Sequence, residues 1–109
     1  MRALDQQIVE ELKRRIPAEV LHHVREFILY GSRVRGDAAD DSDLDLAVLV
    51  DEKTPELEFA LEEIAYGVMW DHDFKPMISL KIFTESRFRS AADKGFSFYR
   101  NVMREGIAI

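Results

Sequence analysis

Apolar residues recur along the chain with two different periods, and the changes of period divide it into elements. Leu4, Ile8, Leu12 and Ile16 fall every fourth residue with charges between them. That spacing predicts an amphipathic helix over 4–16, ended by Pro17. Proline is tolerated in a first helical turn, so Pro17-Ala18-Glu19 can begin a second, short helix. Residues 26–30, Glu-Phe-Ile-Leu-Tyr, form a β-branched and aromatic run stopped by Gly31, which predicts a strand buried on at least one face. Residues 33–36 begin a helical turn, and 37–41 are polar and small enough to be a loop. Leu44-Asp45-Leu46-Ala47-Val48-Leu49-Val50 is the most apolar run and predicts the central strand.

Thr54-Pro55-Glu56 signals a helix start, with a capping hydroxyl, proline in the first turn and an acid beside it. Leu57, Leu61, Ile64, Ala65 and Val68 follow at helical spacing, with Glu56, Glu58, Glu62 and Glu63 towards solvent. Residues 70–73 read as a polar connection. Residues 77–83 predict a third strand, with Ile78, Leu80 and Ile82 on one face and Ser79 and Lys81 on the other. Thr84 can cap a short helix towards Ala91, interrupted by Gly95. A last helix around Phe98, Tyr99, Val102 and Met103 is closed by Gly106 as C-cap, and 107–109 can add an edge strand. Strands alternating with helices predict an α+β (α/β-like) fold: a small mixed sheet with helices packed on it, in one domain over 1–109.

Size and composition narrow the functions available. A chain of 109 residues has room for one core and no second substrate-binding domain. There are no cysteines, so disulfides and thiolate metal sites are excluded. No apolar run approaches the roughly 20 residues of a membrane span, and no signal-peptide pattern opens the chain. A cytoplasmic location and no membrane partner are therefore expected. Charge is segregated: 1–35 carry seven basic and five acidic groups, 36–74 one basic and thirteen acidic, 75–109 seven basic and three acidic. An acidic middle argues against a broad nucleic-acid face and suits a cation site whose anionic ligand is held by arginines. His22 and His23 are adjacent and point about 100° apart on a helix, so they make a poor chelating pair. Phe96, Phe98 and Tyr99 are read as core, with an oligomer interface as the other reading.

The chemistry is concentrated between Tyr30 and Leu46. Asp43 and Asp45 flank Leu44, so in an extended chain both carboxylates leave on one face. Two carboxylates about 7 Å apart along a strand can share a hard cation, the usual way magnesium is held in phosphoryl-transfer sites. Gly31 lets backbone approach a ligand closely, and the N–H groups after it, with the Ser32 hydroxyl, can bind phosphate oxygens. Arg33 and Arg35 add positive charge in a planar fork suited to phosphate.

The combination Gly31-Ser32-Arg33-Val34-Arg35-Gly36 with Ser42-Asp43-Leu44-Asp45-Leu46 resembles the signature of the nucleotidyltransferase superfamily that includes DNA polymerase β. Its wider form resembles the minimal nucleotidyltransferase branch, which includes antitoxins of HEPN–MNT toxin–antitoxin pairs. The segment from Phe98 to Ile107 resembles small stand-alone members as well. The resemblance implies that Gly31 and Ser32 bind the β- and γ-phosphates of ATP or another nucleoside triphosphate. It implies Mg²⁺, with Mn²⁺ as a substitute, on Asp43 and Asp45. The reaction implied is transfer of a nucleoside monophosphate, most often AMP, to an acceptor hydroxyl. In the toxin–antitoxin pairs that hydroxyl belongs to a tyrosine of a small helical toxin, and a partner would have to supply it here.

One feature departs from that pattern. Active members carry a third acid on a neighbouring strand, and the matching positions on 77–83 hold Ser79 and Lys81. Asp71 and Asp73 precede the strand and Glu85 follows it; Asp73 is the candidate third metal ligand if the register is shifted. Without it the site has two acids. Lys81 then either reaches solvent or turns its ammonium towards Asp43 and Asp45, where it would disfavour metal and leave a nucleotide-binding or protein-binding relative.

Overall fold

The computed structural model describes residues 2–39 and 41–109. The elements are α1 (Ala3–Arg15), α2 (Ala18–Leu21), β1 (Val24–Tyr30), α3 (Ser32–Arg35), β2 (Leu44–Val50), α4 (Pro55–Asp71), β3 (Ile78–Thr84), α5 (Glu85–Asp93), α6 (Ser97–Glu105) and β4 (Ile107–Ala108). The four strands make one mixed sheet in the order β3-β2-β1-β4. β1 pairs antiparallel with β2 and β4, and β2 runs parallel to β3. The α+β reading holds.

Period-2 alternation in β1 and β2 divides the core into two layers. Phe27, Leu29, Leu44, Leu46, Val48 and Val50 face α1 and α4, where they meet Ile8, Leu12, Leu57, Leu61 and Val68. Ile28, Tyr30, Ala47 and Leu49 face α5 and α6, where they meet Phe88 and Val102. Because both faces of β2 are covered, its run is continuously apolar rather than alternating. Asp45 is the exception, at its N-terminal end.

One helix end, one cap conformation and one burial assignment differ from the sequence reading. The helix starting at Thr54, whose hydroxyl accepts from the Leu57 N–H at 3.1 Å, runs on through Trp70 and Asp71 instead of stopping before them. Side-chain ties to α1 accompany the extra turn: Arg15 pairs with Asp71, and His72 Nε2 lies 2.7 Å from Glu11 Oε2. Gly106 ends α6 in an extended conformation (φ −71°), not a left-handed one. Its requirement is space: a Cβ there would collide with Ile28 Cγ2 and lie 3.2 Å from the Leu29 carbonyl, where the chain turns back to add β4. Phe96 and Phe98 are exposed, not core, whereas Tyr99 is partly buried against Phe83 and Phe88. The expected loop over 37–41 is found at its described residues; Asp40 lies outside them.

Candidate active site

β1 ends at Tyr30 and the chain turns sharply at Gly31, which adopts φ +85° and ψ −166°. A side chain is disfavoured at that angle. Space excludes one too: a Cβ on Gly31 would stand 3.1 Å from Asp45 Cγ and 3.4 Å from Asp45 Cβ. The turn therefore lies directly on the Asp45 carboxylate. Ser32 opens α3, a single helical turn closed by Gly36 in the left-handed conformation, and the Val34 and Arg35 N–H groups donate back to the Gly31 carbonyl. The first N–H groups of such a turn have no partner within it and face outward.

Asp45 is the Cα partner of Tyr30 on β1 and of Ser79 on β3, so it sits between two strands at one end of the sheet. Burial pushes its carboxyl above the ordinary range; Lys81 opposes the shift, Asp43 adds to it and Arg35 opposes it. Asp43 lies just before β2 and is exposed. The two carboxylates thus act on each other as their spacing predicts. Lys81 is paired with Ala47, two residues further along, yet its ammonium turns back to Ser79 Oγ at 3.4 Å, beside Asp45. It is exposed and within electrostatic reach of Asp45 at once, so the two sequence readings of Lys81 are not exclusive.

The two arginines separate. Arg33 is buried: its Nη1 donates to Asp5 Oδ1 at 2.8 Å and its Nε to the Ser42 carbonyl at 2.9 Å. This guanidinium fastens the phosphate-type turn to α1 and to the loop before β2. Its burial takes it away from a ligand at the surface. Arg35 is exposed at the mouth of a cleft, with Nη1 3.6 Å from Glu105 Oε2 and Nε 3.4 Å from Asp37 Oδ2. Asp73 lies in the turn after α4 with φ +57°. Among the described residues no three His, Asp or Glu side chains form a group that could hold an ion.

The cleft has a volume of about 350 Å³ and is lined by Tyr30, Gly31, Arg35, Phe98, Asn101, Val102 and Glu105. A larger hollow of about 660 Å³ lies at the other end of β2 and β3, around Asp51, Lys53 and Thr84, and contains none of the motif residues. Sequence reasoning missed Tyr30, Asn101 and Glu105. The signal was present in part: 98, 101, 102 and 105 share one face of a helix. Tyr30 is nearly buried, stacks edge-on with Phe98 at 5.8 Å, and its hydroxyl has no hydrogen-bond partner among the described residues. Burial, with the Asp45 charge beside it, pushes that hydroxyl's pKa up to about 12, so it is held as a proton donor.

The comparisons give the family and a fold neighbour. A family model described as a nucleotidyltransferase domain matches residues 6–109. No curated protein matches the chain. A crystal structure described as a toxin–antitoxin with AMP-PNP contains a chain that superposes with a TM-score of 0.60 at 23% identity, covering 95% of this chain and 70% of that one. At that identity the likeness is one of fold. With its glycine turn seated on Asp45 and its match extending over nearly the whole length, the chain belongs to the nucleotidyltransferase domain family.

Proposed function

We propose that the protein transfers a nucleoside monophosphate, AMP from ATP, to a hydroxyl of a partner protein, and that it acts as the antitoxin of a HEPN-type toxin. The observation that carries this reading is the contact between Gly31 and Asp45, which sets the motif's glycine turn against one of its two aspartates. A toxin–antitoxin structure with AMP-PNP as fold neighbour supports the partner class.

The residues fit a magnesium ion that arrives with its nucleotide. Magnesium is commonly held by one or two carboxylates together with substrate phosphates, and Asp43 and Asp45 supply the two. Asp45 is also a carboxyl whose charge is poorly solvated and repelled by Asp43, so a cation relieves both penalties. When bound, the ion supplies charge neutralisation on the phosphates. The backbone after Gly31 and the Ser32 hydroxyl hold the β- and γ-phosphates, and Arg35 contributes a charge at the cleft mouth. Tyr30 closes the floor of the cleft with its hydroxyl buried, and Phe98 and Asn101 offer a ring face and an amide to the nucleoside. The acceptor oxygen bonds to the α-phosphorus, the α–β phosphoanhydride bond breaks, pyrophosphate leaves, and the acceptor proton passes to solvent.

The test is incubation with the protein encoded beside it in the genome, labelled ATP and Mg²⁺. Label on a partner tyrosine is expected, with Asp43→Asn abolishing transfer and leaving partner binding intact. Intact binding without any label transfer sinks the enzymatic reading. A second reading then follows from Lys81, whose ammonium lies beside Ser79 where a third acid would stand: a weakly active or inactive module that neutralises its partner by forming the complex.

A further inference from the structure

Helix α4 buries Leu57, Leu61, Ala65 and Val68 against the sheet. At about 100° per residue, the line directly opposite that core runs through Phe59, Tyr66 and Trp70. All three are strongly exposed, at 64%, 52% and 65%. Solvent-facing lines of helices normally carry charge, so three large aromatics spaced i, i+7, i+11 need a reason. The ring cluster continues past the helix end: Phe74 packs edge-on against Tyr66 at 5.5 Å and Trp70 at 6.0 Å. Beyond the catalytic reading, and independently of it, we propose that this stripe docks an amphipathic helix of a partner protein whose apolar seam is flanked by lysine and arginine.

Charge selects that occupant. α4 contains no Lys or Arg, and Glu62 and Glu63 flank the aromatic line on its two sides. Neither glutamate makes an ion pair among the described residues. An apolar seam with acidic flanks is complementary to one with basic flanks, as charged flanks set partner choice in paired helices. Two copies meeting through this face about a two-fold axis would set glutamate against glutamate. An anionic lipid surface is disfavoured for the same reason. Spacing of i, i+7, i+11 spans about 16 Å, three turns of helix, which is the reach of a helix-on-helix contact. α4 covers the sheet face opposite to that of Tyr30 and α6, so a docked helix leaves the nucleotide cleft open.

Trp70 is the only tryptophan, so its emission reads the stripe directly. The whole protein is titrated with a synthetic peptide helix having a leucine seam flanked by lysines, and with the same peptide flanked by glutamates. The lysine peptide is expected to bind with a blue shift of Trp70 emission, at least tenfold tighter than the glutamate peptide, and less tightly in high salt. Phe59→Ser with Tyr66→Ser should weaken it tenfold or more. Glu62→Lys with Glu63→Lys should reverse the preference between peptides, an outcome that loss of fold cannot produce. Asp43→Asn should bind both peptides as wild type does, which separates this inference from the catalytic one. Failure of both peptides to bind, or equal affinity for them, overturns the proposal. So does sedimentation showing self-association that Phe59→Ser abolishes, which would give the stripe to a second copy. Preferential binding to anionic vesicles would give it to a membrane.

Discussion

Gly31 and Asp45 occupy one another's space: the glycine's missing side chain is the volume that the carboxylate fills, with Asp45 Cγ 3.1 Å from where a Cβ would be. The motif's glycine and its acid are thus two halves of one contact, not separate contributors.

Gly31→Ala should accordingly displace Asp45 and strain the turn, lowering stability by about 1–3 kcal/mol and nucleotidyl transfer by orders of magnitude. Gly36 has nearly the same φ, +86°, but nothing within 4 Å of its Cβ position. Gly36→Ala should cost about 1 kcal/mol and leave most transfer in place. Thermal melts and labelled-ATP transfer on both variants check the contrast; equal losses of transfer would mean that conformation alone, and not the carboxylate contact, matters.

Lys81→Asp would exchange a cation beside Asp45 for the missing third acid. Magnesium affinity in the presence of ATP should rise tenfold or more, with transfer rising too. Calorimetric titration measures the first. Unchanged affinity would show that Lys81 has no hold on the site.

Tyr30→Phe removes a buried hydroxyl that has no partner among the described residues. The free protein should be as stable as wild type or more stable by up to about 1 kcal/mol. The KM for nucleotide should change less than about twofold, because the hydroxyl is closed off from the cleft. A several-fold rise in KM would show instead that the ligand reaches the hydroxyl.

Asp5→Ala would take the carboxylate from the buried Arg33, at a cost of about 3–5 kcal/mol. Arg33→Lys should not restore stability, because the Nε bond to the Ser42 carbonyl needs the guanidinium fork. Urea unfolding at constant pH reads both.

Acid should loosen the α1–α4 contact first. The His72 hydrogen bond, then that of Arg15, pull the Glu11 carboxyl below its ordinary range. A depressed folded pKa means stability that is present above the unfolded value and lost as pH falls through the folded one. Glu11→Gln should therefore lower the melting temperature at neutral pH and have no effect below the carboxylate range. The pair is near the surface, so the effect should be about 0.5 kcal/mol or less and shrink with salt. A deficit that persists in acid would point to packing.

The sequence was most legible where one physical rule acted alone. Leu44 to Val50 could only be a doubly covered strand, and Thr54-Pro55 could only open a helix. The burial of Arg33 was not legible, because its carboxylate partner, Asp5, lies 28 positions away, and nothing local marks an arginine as buried. Tyr30 was passed over because a tyrosine closing a strand reads as core; only the cross-strand register with Asp45 brings its hydroxyl to the site. The aromatic line of α4 was hidden by its glutamates, which satisfied the expected polar face while the true outermost line ran between them.

Arg33 lies one position beyond Ser32 and is bolted to the first turn of α1 through Asp5. Whatever shifts the 31–36 turn must therefore also strain a buried ion pair to the opening helix. The turn and the opening helix are in that sense one mechanical unit, although 28 positions of chain separate the two charges.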